Sequence, residues 1–199
     1  MRLNVAIVDD HSVVRDGLTR VLELDARYNV YRSIGCAEAL YNCCQEELPD
    51  IVIMDLSMPG MGGVEAIRRL LLKWPQLKII IFSIYNNPRL VKRVLRLGGM
   101  GYVTKSSESH IIVEAINTVS KGRQFVSPDI TLNLDLTSDD SLYNLTAREF
   151  DIFRCISDGL SAKQISKNLF LSEKTIANNI SILKKKLKVK STNEMIHLA

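Results

Sequence analysis

Apolar positions in residues 1–125 follow two alternating rhythms. Leu3 to Val8, Val30 to Ile34, Ile51 to Met54, Ile79 to Phe82 and Tyr102 to Val103 are short runs rich in valine and isoleucine, the pattern of parallel strands buried on both faces. Between them, apolar residues recur at helical spacing. Val14, Leu18, Val21 and Leu22 form one such stripe, and Val64, Ile67, Leu70 and Leu71 another. Val91, Val94 and Leu95 mark a third, and Ile111, Ile112, Ala115, Ile116 and Val119 the last. Five strand–helix units in succession predict an α/β domain with a doubly wound, five-stranded parallel sheet.

The rhythm then breaks. Residues 130–143 are acidic, rich in Ser, Thr and Asp, and lack helical periodicity, so a linker is expected over 126–143. Leu132, Leu134 and Leu136 alternate, which leaves a paired or packed stretch within it as an alternative. From 144 to 199 the pattern is wholly helical and predicts a smaller all-α domain of four helices. Thr146 to Glu149, Ser161 to Gln164 and Ser191 to Glu194 have the capping-box form. Ser172 suits an N-cap, and Gly159 the position closing the first of these helices. The middle two helices are separated by a very short turn.

Composition adds little until it is resolved along the chain. Charged residues are 24% and hydrophobic residues 46%, ordinary for a globular protein, and the net charge is +4. Residues 144–199, however, hold 10 basic and 5 acidic residues, with Lys184, Lys185, Lys186, Lys188 and Lys190 clustered. Alone, such a run is a solvated face; beside a helix-turn-helix pattern, it suits phosphate contact. The N-terminal apolar stretch is broken by Asp9 and Asp10, unlike a signal peptide. No apolar run reaches the roughly 18 residues of a membrane span. Cys36, Cys43, Cys44 and Cys155 fit no zinc spacing, and reduced thiols in a cytoplasmic protein are expected.

In a doubly wound sheet, ligands sit beyond the carboxyl ends of the strands. Asp9 and Asp10 follow the first strand, Asp55 the third, Ser83 the fourth and Lys105 the fifth. Any one acid there is a turn residue or cap, as Asp10 is able to be. Together, three carboxylates need a cation, and hard oxygen ligands suit Mg²⁺. A hydroxyl and an ammonium beside them supply the charge compensation on which phosphoryl transfer depends.

Asp9-Asp10, the segment Met54-Asp55-Leu56-Ser57-Met58-Pro59-Gly60, Ser83 and the run Gly101-Tyr102-Val103-Thr104-Lys105 resemble the receiver domains of two-component response regulators, over residues 3–122. The resemblance implies a flavodoxin/CheY-like fold for 1–125 and a phosphoryl group accepted on Asp55 from a sensor histidine kinase. It implies Mg²⁺ held by Asp9, Asp10, Asp55 and the Ser57 carbonyl, with Ser83 and Lys105 on the phosphoryl group. Tyr102 becomes the switch aromatic, the alternative being a half-buried strand residue. Ile84 stands where receivers often have a small residue, which implies narrower access to Asp55. Ser106 stands where many have proline, so no cis peptide is assumed there.

In the helix after Ser172, Ile176, Ile180, Leu183 and Leu187 form one apolar stripe, with Lys174, Asn178, Ser181 and Lys185 opposite. Amide, hydroxyl and ammonium groups on one face suit base edges and phosphates. Leu145-Thr146-Ala-Arg148-Glu149, the stretch Gly159 to Ile165, Ser172-Glu-Lys174-Thr175-Ile176 and Leu187-Lys-Val189 resemble the LuxR-type helix-turn-helix domain over 144–199. Joined to a receiver, it is similar to the NarL/FixJ class of transcription regulators. The resemblance implies Lys174 and Thr175 on the DNA backbone, and Ala177, Asn178 and Ser181 facing bases of double-stranded promoter DNA. It further implies a homodimer on phosphorylation, and RNA polymerase is a partner consistent with it. Asn179 replaces a common histidine, so base preference does not transfer.

The mechanism expected is a population shift, in which the unphosphorylated receiver covers the reading helix and phosphorylation releases it. Met195, Ile196 and Leu198 on the last helix suit either a dimer seam or closure of the small core. Two rivals come from other classes. A phosphatase of the haloacid dehalogenase type needs a second aspartate at the position of Ser57. A regulator acting through protein or RNA alone leaves the lysine cluster and reading face without a role.

Overall fold

A computed structural model of the chain describes residues 2–131 and 145–197. Six strands form one parallel sheet: β1 (Leu3–Val8), β2 (Tyr28–Ile34), β3 (Ile51–Met54), β4 (Lys78–Ser83), β5 (Gly101–Thr104) and β6 (Phe125–Val126), in the order β2-β1-β3-β4-β5-β6. Five longer helices connect them: α1 (Ser12–Glu23), α2 (Ala37–Glu46), α3 (Gly63–Lys73), α4 (Pro88–Arg96) and α5 (Ser109–Ser120). Strand residues alternate between two cores. Ala6, Val8, Val52, Met54, Ile79, Ile81 and Tyr102 pack with α2, α3 and α4. Val5, Ile7, Ile53, Ile80 and Val103 pack with α1 and α5. Strands buried on both faces explain why their sequences read as continuous apolar runs.

The sheet has one strand more than the periodicity predicts. Phe125 and Val126 pair with Gly101 and Tyr102, and the short helix α6 (Pro128–Thr131) follows. Ile130 is wholly buried, and Asp129 Oδ2 accepts a hydrogen bond from the Thr104 hydroxyl at 2.7 Å. Residues 126–131, expected in the linker, are thus built onto the receiver. A two-residue strand has no period to detect. The rest of the linker, with Leu132, Leu134 and Leu136, lies outside the described residues.

Among the described residues, the C-terminal domain has four helices: α7 (Ala147–Ser157), α8 (Ala162–Asn168), α9 (Glu173–Leu187) and α10 (Thr192–His197). Both halves of the capping box form at Thr146–Glu149 and at Ser161–Gln164, and Ser172 Oγ accepts from the Thr175 N–H. Ser191 Oγ accepts from the Glu194 N–H, while the Glu194 carboxylate reaches the Lys190 N–H instead of that of Ser191. Gly159 closes α7 at φ +78°, a conformation open to glycine at little cost. Met195 is buried in the core, and Ile196 is partly exposed; Leu198 lies outside the described residues. No helix among the described residues is long and apolar enough to cross a membrane.

The two domains dock through α7 and the loop between β3 and α3. The N-terminus of α3 has Gly62 as N-cap and no capping side chain of its own. Asp151 of α7 fills that role from the other domain: its two carboxylate oxygens accept from the N–H groups of Val64 and Glu65 at 3.3 and 3.2 Å. A Cβ on Gly62 would lie 2.4 Å from Asp151 Oδ2, so glycine is what lets the carboxylate approach. Arg148 donates to the Met61 carbonyl at 2.9 Å, Arg154 donates to Ser57 Oγ at 3.0 Å, and the Gly60 N–H donates to the Asn168 carbonyl at 2.6 Å. Arg93 of α4 stacks over Phe150, 4.7 Å from the ring centroid, and donates to the Leu145 carbonyl. The receiver therefore does not cover the reading helix, contrary to expectation: Lys174, Ala177, Asn178, Ser181 and Lys185 of α9 are all exposed. The dock is made by apolar and charged groups of α7, whereas the exposed side of α9 is mostly polar.

Two consequences follow for stability. A Cβ on Gly63 would lie 2.4 Å from the Leu56 Cα and 2.7 Å from its carbonyl oxygen, both backbone atoms. Gly63→Ala is therefore expected to destabilise the receiver by about 2–4 kcal/mol in denaturant unfolding. Burial pushes the Asp151 carboxyl up to about 6 from 3.8, against the pull of Arg154, the Glu65 and Val64 N–H groups and Arg148; the Arg93 guanidinium feels the same charge. A carboxyl with a higher pKa docked than free takes up a proton on docking. Docking is thus strongest below about pH 4 and weakens by up to about 3 kcal/mol as the pH rises through about 6. Energy transfer between dyes on the two domains, followed from pH 4 to 7.5, is expected to show this fall in the wild type and not in Asp151→Asn.

Candidate functional site

The site forms where the strand order reverses, at the carboxyl ends of β1 and β3. Asp9 and Asp55 are each 2% exposed. The Lys105 ammonium lies between them, 2.6 Å from Asp9 Oδ2 and 3.1 Å from Asp55 Oδ2. Beyond that ammonium, these two buried oxygens have no hydrogen-bond partner among the described residues. The other oxygens are held by backbone: the His11 N–H donates to Asp9 Oδ1 at 2.9 Å, and the Leu56 N–H to Asp55 Oδ1 at 2.7 Å. Asp10, more exposed, completes an acidic group in which one ligand atom each of Asp9, Asp10, His11 and Asp55 lies within 4.8 Å of the others.

The electrostatics match this geometry. Burial raises the Asp55 pKa and the Asp9 charge adds to it, while Lys105 opposes both. Burial alone would lower the Lys105 pKa, but the Asp9 and Asp55 carboxylates override it and raise it. A buried pair of carboxylates with one shared cation still carries excess negative charge. Oxygen donors aimed at one point with that excess are a fitting set for a small, hard divalent cation.

Ser83 and Tyr102 connect this centre to its surroundings. Ser83 Oγ accepts from the Tyr85 N–H at 3.4 Å. Tyr102 is wholly buried, beyond the half-buried strand aromatic that was its alternative, and its hydroxyl donates to the Tyr85 carbonyl at 2.9 Å. Ile84 is 67% exposed, standing out into solvent and not over Asp55. Among the described residues no peptide is cis, so Ser106 follows Lys105 in the trans form.

On α9, Ile176, Leu183 and Leu187 face the small core. Lys174, Ala177, Asn178, Ser181 and Lys185 are exposed and Thr175 half-buried. Ser181 donates to the Ala177 carbonyl at 3.1 Å, so its oxygen is left to accept. Asn179, by contrast, bonds back to the Thr175 carbonyl at 2.8 Å. Phe170, at φ +51° in the turn before α9, is 75% exposed.

Three residues at this site were not singled out from sequence. His11 brings Nδ1 to 3.0 Å from Asp10 Oδ1 and 3.2 Å from Asp9 Oδ1; its place beside the acid pair was the signal. Asp151 and Arg154 of α7 reach the β3–α3 loop from the other domain. Their signal was subtler. Apolar residues go all the way round α7, at Phe150, Ile152, Phe153, Cys155 and Ile156, which leaves the charged residues between them no solvent-facing side.

Comparison with known proteins agrees with this division of the chain. Residues 5–117 match the response regulator receiver domain family, and residues 143–199 match the luxR family of bacterial regulatory proteins. The response regulator GacA of Pseudomonas aeruginosa is 34% identical, over 99% of this chain and 95% of its own. The transcriptional activator protein ExaE of Pseudomonas putida is 32% identical, over 99% and 95%. Among solved structures, RcsB of Salmonella enterica serovar Typhimurium, bound to promoter P1flhDC in the presence of phosphomimetic BeF3-, superposes with a TM-score of 0.75 at 28% identity, covering 99% of this chain and 98% of that one. A receiver site on the sheet edge and a capped helix-turn-helix behind it, matched end to end by such relatives, make this chain a member of the two-component response regulators with a LuxR-type output domain.

Proposed function

We propose that Asp55 accepts a phosphoryl group from a sensor histidine kinase and that this charge controls dimerisation and sequence-specific promoter binding through α9. The observation that carries the reading is the Lys105 ammonium held between two buried carboxylates at the sheet edge. In the transfer, an Asp55 oxygen attacks phosphorus, an O–P bond forms, and the P–N bond to the donor imidazole breaks. Lys105 and Ser83 then face the transferred phosphoryl oxygens, which take over the ammonium that Asp9 and Asp55 now share. Asp9, Asp10, Asp55 and the Ser57 carbonyl would hold Mg²⁺, which when bound offsets the repulsion between the carboxylate and an anionic donor. Asp9 and Asp55 are equally buried and share Lys105, whereas Asp10 is open to water; the choice of Asp55 over Asp9 follows the receiver-like segment Met54 to Gly60 around it.

On the output side, Lys174 and Lys185 contact phosphates with Thr175, while Asn178 and Ser181 meet base edges and Ala177 offers a methyl group. Dimers would place two α9 helices about one helical turn of DNA apart.

Intact mass after incubation with acetyl phosphate and Mg²⁺ tests the acceptor. One phosphoryl adduct is expected on wild type and none on Asp55→Ala; an adduct on both would place the chemistry elsewhere. For DNA binding, Asn178→Ala is expected to weaken the cognate site by about 1–3 kcal/mol and relax discrimination, while Lys185→Ala weakens all sequences alike and lowers the log–log salt slope by about 1. Fluorescence anisotropy across a salt series separates the two, and identical slopes in wild type and Lys185→Ala would remove that lysine from the interface.

A further inference from the structure

A cleft of about 640 Å³ lies between α3, the end of α4 and the start of α7, and shares no residue with the acid cluster at the sheet edge. Its walls carry four guanidinium groups, those of Arg68, Arg93, Arg96 and Arg148. Among the described residues of the lining, the one acid is Glu65. That carboxylate is already engaged. Arg68 donates to it through Nε and Nη2 at 2.9 and 2.8 Å, and Arg69 through Nε at 2.7 Å. Leu97, Leu145 and Ala147 supply an apolar wall.

Backbone carbonyls hold two of these arginines in place. Arg148 donates to the Met61 carbonyl at 2.9 Å, and Arg93 to the Leu145 carbonyl. A carbonyl satisfies a donor without bringing a full opposing charge. Burial lowers the Arg93 pKa by more than the Asp151 and Glu149 charges raise it, so a further negative charge beside it is stabilising. Guanidinium groups do not shed their charge to relieve crowding, and each presents its N–H donors in a planar fork that matches phosphate oxygens. The positive end of the α7 dipole, at Thr146 and Ala147, adds to the same field.

We propose that this cleft binds a small organic phosphate of nucleotide size, carrying two or more negative charges. Its volume falls in the range of small-molecule sites, roughly 300–1,000 Å³. The arginine forks take the phosphates, and the wall of Leu97, Leu145 and Ala147 takes the uncharged part. A bare phosphate ion leaves most of the space and the apolar wall unused. Both domains line the cleft, the receiver through α3 and α4 and the output domain through residues 145–148. Occupancy therefore favours the docked arrangement by linkage. The site does not depend on the reading of Asp55 as phosphoacceptor.

Isothermal titration calorimetry of the full-length chain with ADP, pyrophosphate and adenosine, without Mg²⁺, tests the site in wild type, Arg96→Ala, Arg68→Ala and Lys185→Ala. Wild type is expected to bind one ADP per chain, pyrophosphate more weakly and adenosine not at all. Arg96→Ala is expected to weaken ADP about tenfold. Arg68→Ala leaves Glu65 with Arg69 alone, so its carboxylate repels the ligand and the loss is larger. Lys185→Ala, on the exposed side of α9, is expected to bind as wild type does. Arg68 and Arg96 are both exposed, so the cooperative melt is expected to survive. Should Arg68→Ala lose it, Arg96→Lys keeps the charge without the fork and is expected to fall between wild type and Arg96→Ala. Undiminished ADP binding in the folded arginine variants, or its loss in Lys185→Ala, overturns the site. So does the absence of saturable binding to wild type below about 1 mM. Pyrophosphate bound as tightly as ADP overturns a ligand of nucleotide size.

Discussion

The Lys105 ammonium between Asp9 and Asp55 is the contact on which the site depends. Two carboxylates at 2% exposure, a few ångströms apart, repel strongly in a medium that screens poorly. One ammonium at 2.6 and 3.1 Å makes their burial tolerable without neutralising both. The residual negative charge suits the site to a divalent cation, and under the proposed function the ammonium is what a phosphoryl group would claim. Parallel strands make this possible, since β1, β3 and β5 end at the same edge and bring residues far apart in sequence into one cluster.

The second organising element is α7, buried between two domains. One side closes the helix-turn-helix core through Phe153, Cys155 and Ile156. Another presents Asp151, Arg154 and Arg148 to the receiver. A helix in this position cannot move relative to the receiver without disturbing the loop that follows Asp55. The output domain is small and its core is shared by four short helices, so displacement of α7 is displacement of the whole reading unit. The exposed face of α9 travels with it.

The β3–α3 loop shows how glycine serves this design. Gly62 at φ +79° leaves the start of α3 open, and the absence of a Cβ lets a carboxylate from another domain cap it. A Ser or Asp N-cap of its own would compete with Asp151 for the same first-turn N–H groups. The missing local cap and the interdomain bond are two sides of one choice.

Much was legible from sequence by itself. The central strands, the four apolar stripes, the four helix starts in the output domain and the joint pattern of Asp9, Asp10, Asp55, Ser83 and Lys105 are all local signals, since each depends on residue type at a fixed spacing. Weaker signals fail where the element is short or its stripe thin. The helix α2 buries only Ala37, Leu40 and Cys44, and β6 has two residues. Only the tertiary structure decided that Lys105 bridges two particular carboxylates, that residues 126–131 complete the sheet, and that the receiver docks on α7 and leaves α9 open. These depend on pairs such as Val64 with Asp151, separated by 87 residues. Spacing along a chain records which face a residue occupies, but carries no record of which distant group will meet it there.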